Sequence, residues 1–331
     1  MAVYTEVNDE DLRGFLATYD CGSLRSCKGI AEGVENTNYY VETDRGRFIL
    51  TLYEKRVNEA DLPYFLALKE HLARRGVSCP VPVRNREGQS LGLLNGRRAA
   101  LVTFLEGVSV KHPRAEHCEA TGRALANLHL ASADLGLYRR NALGPSGWRP
   151  LYEKFASRAG EISPELQDLI ESELAAHSAA IARGGWPDEL PHGVIHADLF
   201  PDNVFFLNGN LSGLIDFYFA CNDALAYDLA ICLNAWCFNA AHKYDPEKGR
   251  ALIAGYESIR QLSTAERRAL PMLARGAALR FLLTRAYDWL HRAPGALVMP
   301  HDPQDYVDRL KFHRTVAGIN GYTDGRCQDG K

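Results

Sequence analysis

The hydropathy period of this chain changes near residue 105, and that change limits the architectures open to it. Before it, runs of strand-like composition at 28–34, 37–43, 47–53, 89–94 and 98–105 alternate with turn signals. Asp44-Arg45-Gly46 and Asn95-Gly96 are hairpin signals, because Asn and Gly accept the positive φ that a tight hairpin demands. Asn8 is placed to cap a short helix bearing Leu12, Phe15, Leu16 and Tyr19, closed by Gly22. A second helix at 59–75 sets Leu62, Phe65, Leu66 and Leu72 on one side, and Gly76, Pro80 and Pro82 end it. Beyond residue 105 helical periods dominate, at 114–132, 151–159, 164–182, 224–239, 246–260, 264–291 and 303–316. The exception is 193–217, where β-like runs at 194–196, 203–207 and 211–215 are separated by turns such as Asn208-Gly209-Asn210. The predicted class is therefore α+β and two-lobed, with a β-rich lobe at 1–104 and a mainly helical lobe at 105–331. A cleft between two lobes is a natural place for a ligand.

Composition narrows the function classes. Lys and Arg total 38 against 41 Asp and Glu, a formal charge of −3, so a basic nucleic-acid footprint is not expected. The longest near-apolar stretch, 229–241, is broken by Asn234 and Asn239 and falls short of the ~20 residues of a membrane span. Residues 1–11 carry acids and no apolar run, unlike a signal peptide. The 8 cysteines include no C-x-x-C; reduced thiols in a cytoplasmic protein are the expectation.

The chemistry concentrates in His196-Ala197-Asp198-Leu199-Phe200-Pro201-Asp202-Asn203, followed 13 residues after Asn203 by Asp216 in Ile215-Asp216-Phe217. Asp198, on a loop after a strand, can accept a hydroxyl proton. The Asn203 amide oxygen and the Asp216 carboxylate are hard oxygen donors suited to Mg²⁺, which takes one or two protein carboxylates and fills its other positions with water and phosphate. Asp and Asn are also common turn formers, but three such residues at this spacing between apolar strands point to a site. His196 is read as a support of the loop.

The H-x-D-x-x-x-x-N then D-F arrangement resembles that of kinases. With Gly33-Val34-Glu35-Asn36-Thr37-Asn38-Tyr39, Phe48-Ile49-Leu50-Thr51-Leu52-Tyr53-Glu54, Ala126-Asn127-Leu128-His129, Tyr227-Asp228-Leu229-Ala230 and Arg280-Phe281-Leu282-Leu283-Thr284-Arg285, the chain is similar to the aminoglycoside phosphotransferase/choline kinase family, and within it to the homoserine kinases. The resemblance covers nearly the whole chain and implies a protein-kinase-like fold. It implies ATP and Mg²⁺ as cofactors and L-homoserine as acceptor, in threonine biosynthesis. By the same resemblance Asp198 is the catalytic Asp, and Asn203 and Asp216 are metal ligands. Gly29 and Gly33 flank the turn over the nucleotide phosphates, Thr103, Phe104 and Leu105 form the adenine hinge, and Asp228 braces the catalytic loop.

One departure stands out. Where kinases carry a strand Lys that pairs with the α- and β-phosphates, this chain has Thr51. Lys28, Arg47 and Lys55 are the nearby candidates to replace it, with Glu59 and Glu70 read as surface charges. On the acceptor side, Asp223 suits an ammonium group or a helix cap, and Arg280 suits a carboxylate. Arg285 is expected to pair with Asp288 along its own helix. Other readings stay open here: a kinase for choline, hydroxylysine or an aminoglycoside, or a nucleotide-binding pseudokinase that lacks the strand Lys.

Overall fold

The computed structural model describes residues 5–30, 36–54, 58–183, 190–292 and 300–324. The chain divides into two compact units: 1–107 with 135–137 and 212–218, and 108–134 with 138–211 and 219–331. The expected boundary at 104/105 is thus crossed by two returning stretches, and one of them carries Asp216. Gly33 and Lys55 lie outside the described residues. No helix among the described residues is long and apolar enough to cross a membrane.

The first unit is an antiparallel sheet with two helices. Helix α1 (Asp9–Leu16) precedes β1 (Leu24–Ile30), β2 (Thr37–Thr43) and β3 (Arg47–Leu52); helix α2 (Leu62–Arg74) then leads to β4 (Gly92–Leu94) and β5 (Arg97–Thr103), in the spatial order β1-β2-β3-β5-β4. The first strand starts earlier than its composition suggests, and the expected 89–94 strand shrinks to three residues. Strand β2 buries Thr37, Tyr39, Val41 and Thr43, the period of two that puts alternate residues on one face. That face, with Leu50, Leu52, Ala99 and Leu101, packs against Leu12, Phe15, Leu16 and Tyr19. Asn95 and Gly96 take φ of 49° and 73° and close the β4–β5 hairpin.

The second unit runs α3 (Ala115–Ala131), α4 (Pro145–Glu153), α5 (Leu166–Ala182), β6 (His192–Ile195) and β7 (Val204–Leu207). After β8 (Asn210–Leu214), whose last residues belong to the first unit, come β9 (Cys221–Ala224), α6 (Leu225–Trp236), α7 (Pro246–Glu257), α8 (Thr264–Leu290), α9 (Gln304–Arg314) and the single turn α10 (Asn320–Thr323). The helix expected at 151–159 is replaced by α4 and a 3₁₀ segment at Ala156–Glu161, since Pro145 sits in the first turn of α4, where a missing N–H costs nothing. Strand β9 has no strand-like composition; it forms by antiparallel pairing with β6. Helix α6 buries every residue but Ala235, as a central helix must. Helix α8, 27 residues long, starts with a reciprocal cap: Ser263 Oγ accepts from the Glu266 amide at 3.2 Å, and Glu266 Oε2 accepts from the Ser263 amide at 2.8 Å.

Helices α3 and α7 approach backbone to backbone. A Cβ on Gly122 would lie 2.2 Å from the Leu252 carbonyl oxygen, and one on Gly255 would lie 2.1 Å from that of Glu119. Neither backbone can yield without moving a helix. Gly122→Ala and Gly255→Ala should each cost ~1–3 kcal/mol through overpacking, lowering Tm by several degrees in thermal melts. A Tm equal to that of the parent chain would show that the helices are not this close.

Candidate active site

The loop between β6 and β7 is held at successive backbone positions, all by groups of the second unit. The Asp228 carboxylate, on α6, accepts from the amide of His196 at 2.7 Å through Oδ2 and from that of Ala197 at 2.9 Å through Oδ1. His129 Nε2 lies 3.1 Å from Asp228 Oδ2, and His129 Nδ1 lies 2.8 Å from the Tyr256 hydroxyl. A proton on Nε2 faces Asp228, and Arg260 Nη1 donates to the Tyr256 oxygen at 3.1 Å. Burial opposes charge on Asp228, yet the hydrogen bond and charge of His129, with His196, hold its carboxyl below the usual range.

Ala197 adopts φ of 64°, a left-handed conformation that is unfavourable for a residue with a Cβ. Its amide goes to Asp228 and its carbonyl accepts from Arg280 Nη1, so both polar groups of the strained residue are satisfied. Downstream, the Trp236 indole donates to the Leu199 carbonyl at 2.8 Å. The Asp198 amide donates to His196 Nδ1 at 3.3 Å, which makes the buried His196 a loop support.

Against this fixed backbone the structure brings Asp198 and Asn203 together. Asn203 Nδ2 donates to the Asp198 carbonyl at 2.8 Å and lies 3.4 Å from its carboxylate Oδ2. The amide nitrogen is thereby used, and Oδ1 remains the donor atom for a cation. Asp216, in the first unit, is exposed and takes φ of 62°. Among the described residues no three His, Cys, Asp or Glu cluster as a metal site. A hard cation sharing few protein oxygens with phosphates does not need such a cluster, so Asn203 and Asp216 fit Mg²⁺ by donor chemistry.

The acceptor-side expectations are redrawn. Asp223 is 6% exposed, and both its oxygens are engaged, by Asn141 Nδ2 at 2.7 Å and by the Ala224 amide at 2.7 Å. It anchors Asn141 rather than presenting an open charge. Arg280, 3% exposed, is stacked on Phe281 at 4.3 Å and Phe219 at 5.5 Å, and its Nε has no hydrogen-bond partner. Arg285 pairs with Asp305 at 3.1 Å, on α9, and not with Asp288. Sequence reasoning missed Tyr306 and Arg309. Burial raises the Tyr306 phenol, Arg309 and Arg285 pull it back, and the Asp198 carboxylate adds to the rise; its hydroxyl and the Arg309 Nε lack hydrogen-bond partners.

In the first unit, Thr51 donates to Asn38 Oδ1 at 2.8 Å. Thr103 is tied to Val81 by its amide and its hydroxyl, each at 2.9 Å. The Phe104 amide donates to the Arg47 carbonyl at 3.1 Å, while no hydrogen bond among the described residues engages the Leu105 amide or carbonyl. Gly29 pairs with Tyr39. Arg47 bonds Glu106 and lies over Phe104, Glu59 pairs with Arg98, and Glu70 pairs with Arg84.

The sequence pattern of the phosphotransferase enzyme family matches residues 26–262. The chain belongs to that family. This phosphotransferase is 58% identical over 322 residues to a homoserine kinase from Parvibaculum lavamentivorans, covering 97% of this chain and 99% of the relative. It is 56% identical to a homoserine kinase from Rhizobium meliloti, with 97% of each covered. Among solved structures the phosphotransferase fold matches an amicoumacin kinase (TM-score 0.67, 14% identity, 97% of this chain and 95% of that one) and a spectinomycin phosphotransferase (0.67, 13%, 97% and 98%). These likenesses establish the kinase-like fold.

Because Asp228 is charged in the fold and held below its usual range, its contribution to stability is full above the unfolded-chain pKa of ~4 and is lost as pH falls through the lower folded value. Asp228→Asn turns an amide NH₂ toward backbone donors and weakens bonds worth ~1.5–3 kcal/mol each to a charged acceptor. Its Tm deficit should be largest at neutral pH and shrink below pH ~4. A deficit independent of pH would contradict a charged Asp228.

Proposed function

We infer that this chain is an ATP-dependent homoserine kinase, transferring the γ-phosphoryl group of ATP to the hydroxyl of L-homoserine to give O-phospho-L-homoserine and ADP, a step of threonine biosynthesis. The observation that carries the reading is the 58% identity to a homoserine kinase across nearly the full length of both chains. Phosphoryl transfer asks the protein for alignment and charge stabilisation more than covalent chemistry.

Asp198 is the proton acceptor. Its half-buried carboxylate stands on the clamped loop, with Asn203 Nδ2 fixing its position. It orients the homoserine hydroxyl toward the γ-phosphorus and takes the proton late in transfer. Asn203 Oδ1 and Asp216 would hold Mg²⁺, which neutralises phosphate charge when bound. The open Leu105 amide and carbonyl, with Thr103 and Phe104, form the adenine edge; Gly29 and Thr51 border the phosphates.

Homoserine also brings an α-carboxylate. Among the described residues of this unit, Arg280 and Arg309 each have a buried Nε with no hydrogen-bond partner, and one of them receives that group. A choline kinase would need no such cation, and an aminoglycoside kinase would need an acidic cleft.

Asp198→Asn should lower kcat by ~10²–10⁴-fold with ATP binding retained; near-normal turnover would remove Asp198 from the mechanism. ADP release should be greatest with L-homoserine in a panel with hydroxylysine, choline and kanamycin, and a different preferred acceptor would overturn the substrate. Arg280→Lys and Arg309→Lys distinguish the carboxylate partner. Loss of its bidentate contact costs ~1.5–3 kcal/mol, one to two decades in kcat/KM for homoserine. If both variants keep kcat/KM, neither guanidinium binds the carboxylate.

A further inference from the structure

Thr51 leaves the nucleotide phosphates without the strand cation that kinases use, and a different cation of the first unit stands beside Asp216. Helix α2 buries Lys69 on its apolar side, with Leu62, Phe65, Leu66 and Leu72. The residue is only 5% exposed. A buried ammonium ordinarily has a carboxylate partner, yet among the described residues no carboxylate lies within ion-pair distance of Lys69 Nζ and no hydrogen bond engages it. What it does face is the ring of Tyr218, 5.6 Å from Nζ.

Tyr218 ties this position to Thr51. Its hydroxyl lies 3.4 Å from that of Tyr53 and stands beside Thr51, and Tyr218 is two residues beyond Asp216. Thr51, Tyr218, Lys69 and Asp216 thus share one neighbourhood within a single unit. The other nearby cations differ. Arg47 bonds Glu106, Arg97 pairs with Glu54 and Arg98 with Glu59; Lys28 stands on the outer strand β1 opposite Tyr40.

We propose that Lys69, projecting from helix α2, is the residue that binds the nucleotide phosphates in place of the strand lysine, with Thr51 leaving room for its ammonium group. Burial lowers the Lys69 pKa to about 8, with Cys79 and Asp216 acting against the drop, so the ammonium form prevails at neutral pH. A charge kept in the interior without an ion-pair partner is costly to the fold and is retained where a ligand supplies the counter-charge.

The test is Lys69→Met in the full chain, read by melting and by calorimetric titration with MgATP, MgADP and adenosine in the absence of acceptor. Acceptor identity does not enter, so failure here is distinguishable from failure of the homoserine assignment. The expected result is an unchanged or higher Tm, about ten- to a hundredfold weaker MgATP and MgADP binding, and unaltered adenosine affinity. Lys69→Arg should retain much of the phosphate affinity, and Thr51→Lys added to Lys69→Met should recover at least about tenfold. Wild-type MgATP affinity in Lys69→Met would overturn the proposal. So would a lower Tm with equal losses for adenosine and MgATP, which would make Lys69 a packing residue.

Discussion

The candidate active site depends on one buried carboxylate. Asp228 accepts two consecutive loop amides and a histidine N–H, and through them it fixes the turn that presents Asp198. The turn needs such a clamp because Ala197 is left-handed, a conformation that costs a non-glycine residue ~1–2 kcal/mol. Arg280 and Trp236 hold the carbonyls of Ala197 and Leu199. Helices α6 and α8 therefore bear on the loop from buried positions, and the long apolar run of α6 serves to hold Asp228 where no water competes for it.

The first unit solves a different electrostatic problem. Its sheet and α1 form a conventional apolar core, while α2 places a cation inside the fold. The Tyr218 ring faces that cation, and Asp216 contributes an exposed carboxylate on a second left-handed residue. On the proposal made above, phosphate recognition rests on a helix rather than a strand.

The catalytic spacing, the hairpins and most helices were legible because local composition and period dictate them. Strand β9 was not, since Cys221–Ala224 becomes a strand only by pairing with distant β6. The left-handed Ala197 and Asp216 carry no glycine to mark them. Lys69 leaves a trace in the sequence, because the apolar stripe Leu62, Leu66, Lys69, Leu72 contains a lysine at a core position. Tyr306 and Arg309 lie on a helix more than 100 residues beyond Asp198, so only the tertiary fold relates them to it. That Arg280 also holds the Ala197 carbonyl is a tertiary contact that its helix face alone does not announce.

The central claim is that this chain moves a phosphoryl group onto the hydroxyl of homoserine. Phosphorus NMR of the wild-type protein with ATP, Mg²⁺ and L-homoserine measures that directly. The account predicts a phosphomonoester resonance coupled to the adjacent methylene protons, growing in step with ADP. ADP formation accompanied only by inorganic phosphate, or no turnover with homoserine, would contradict it.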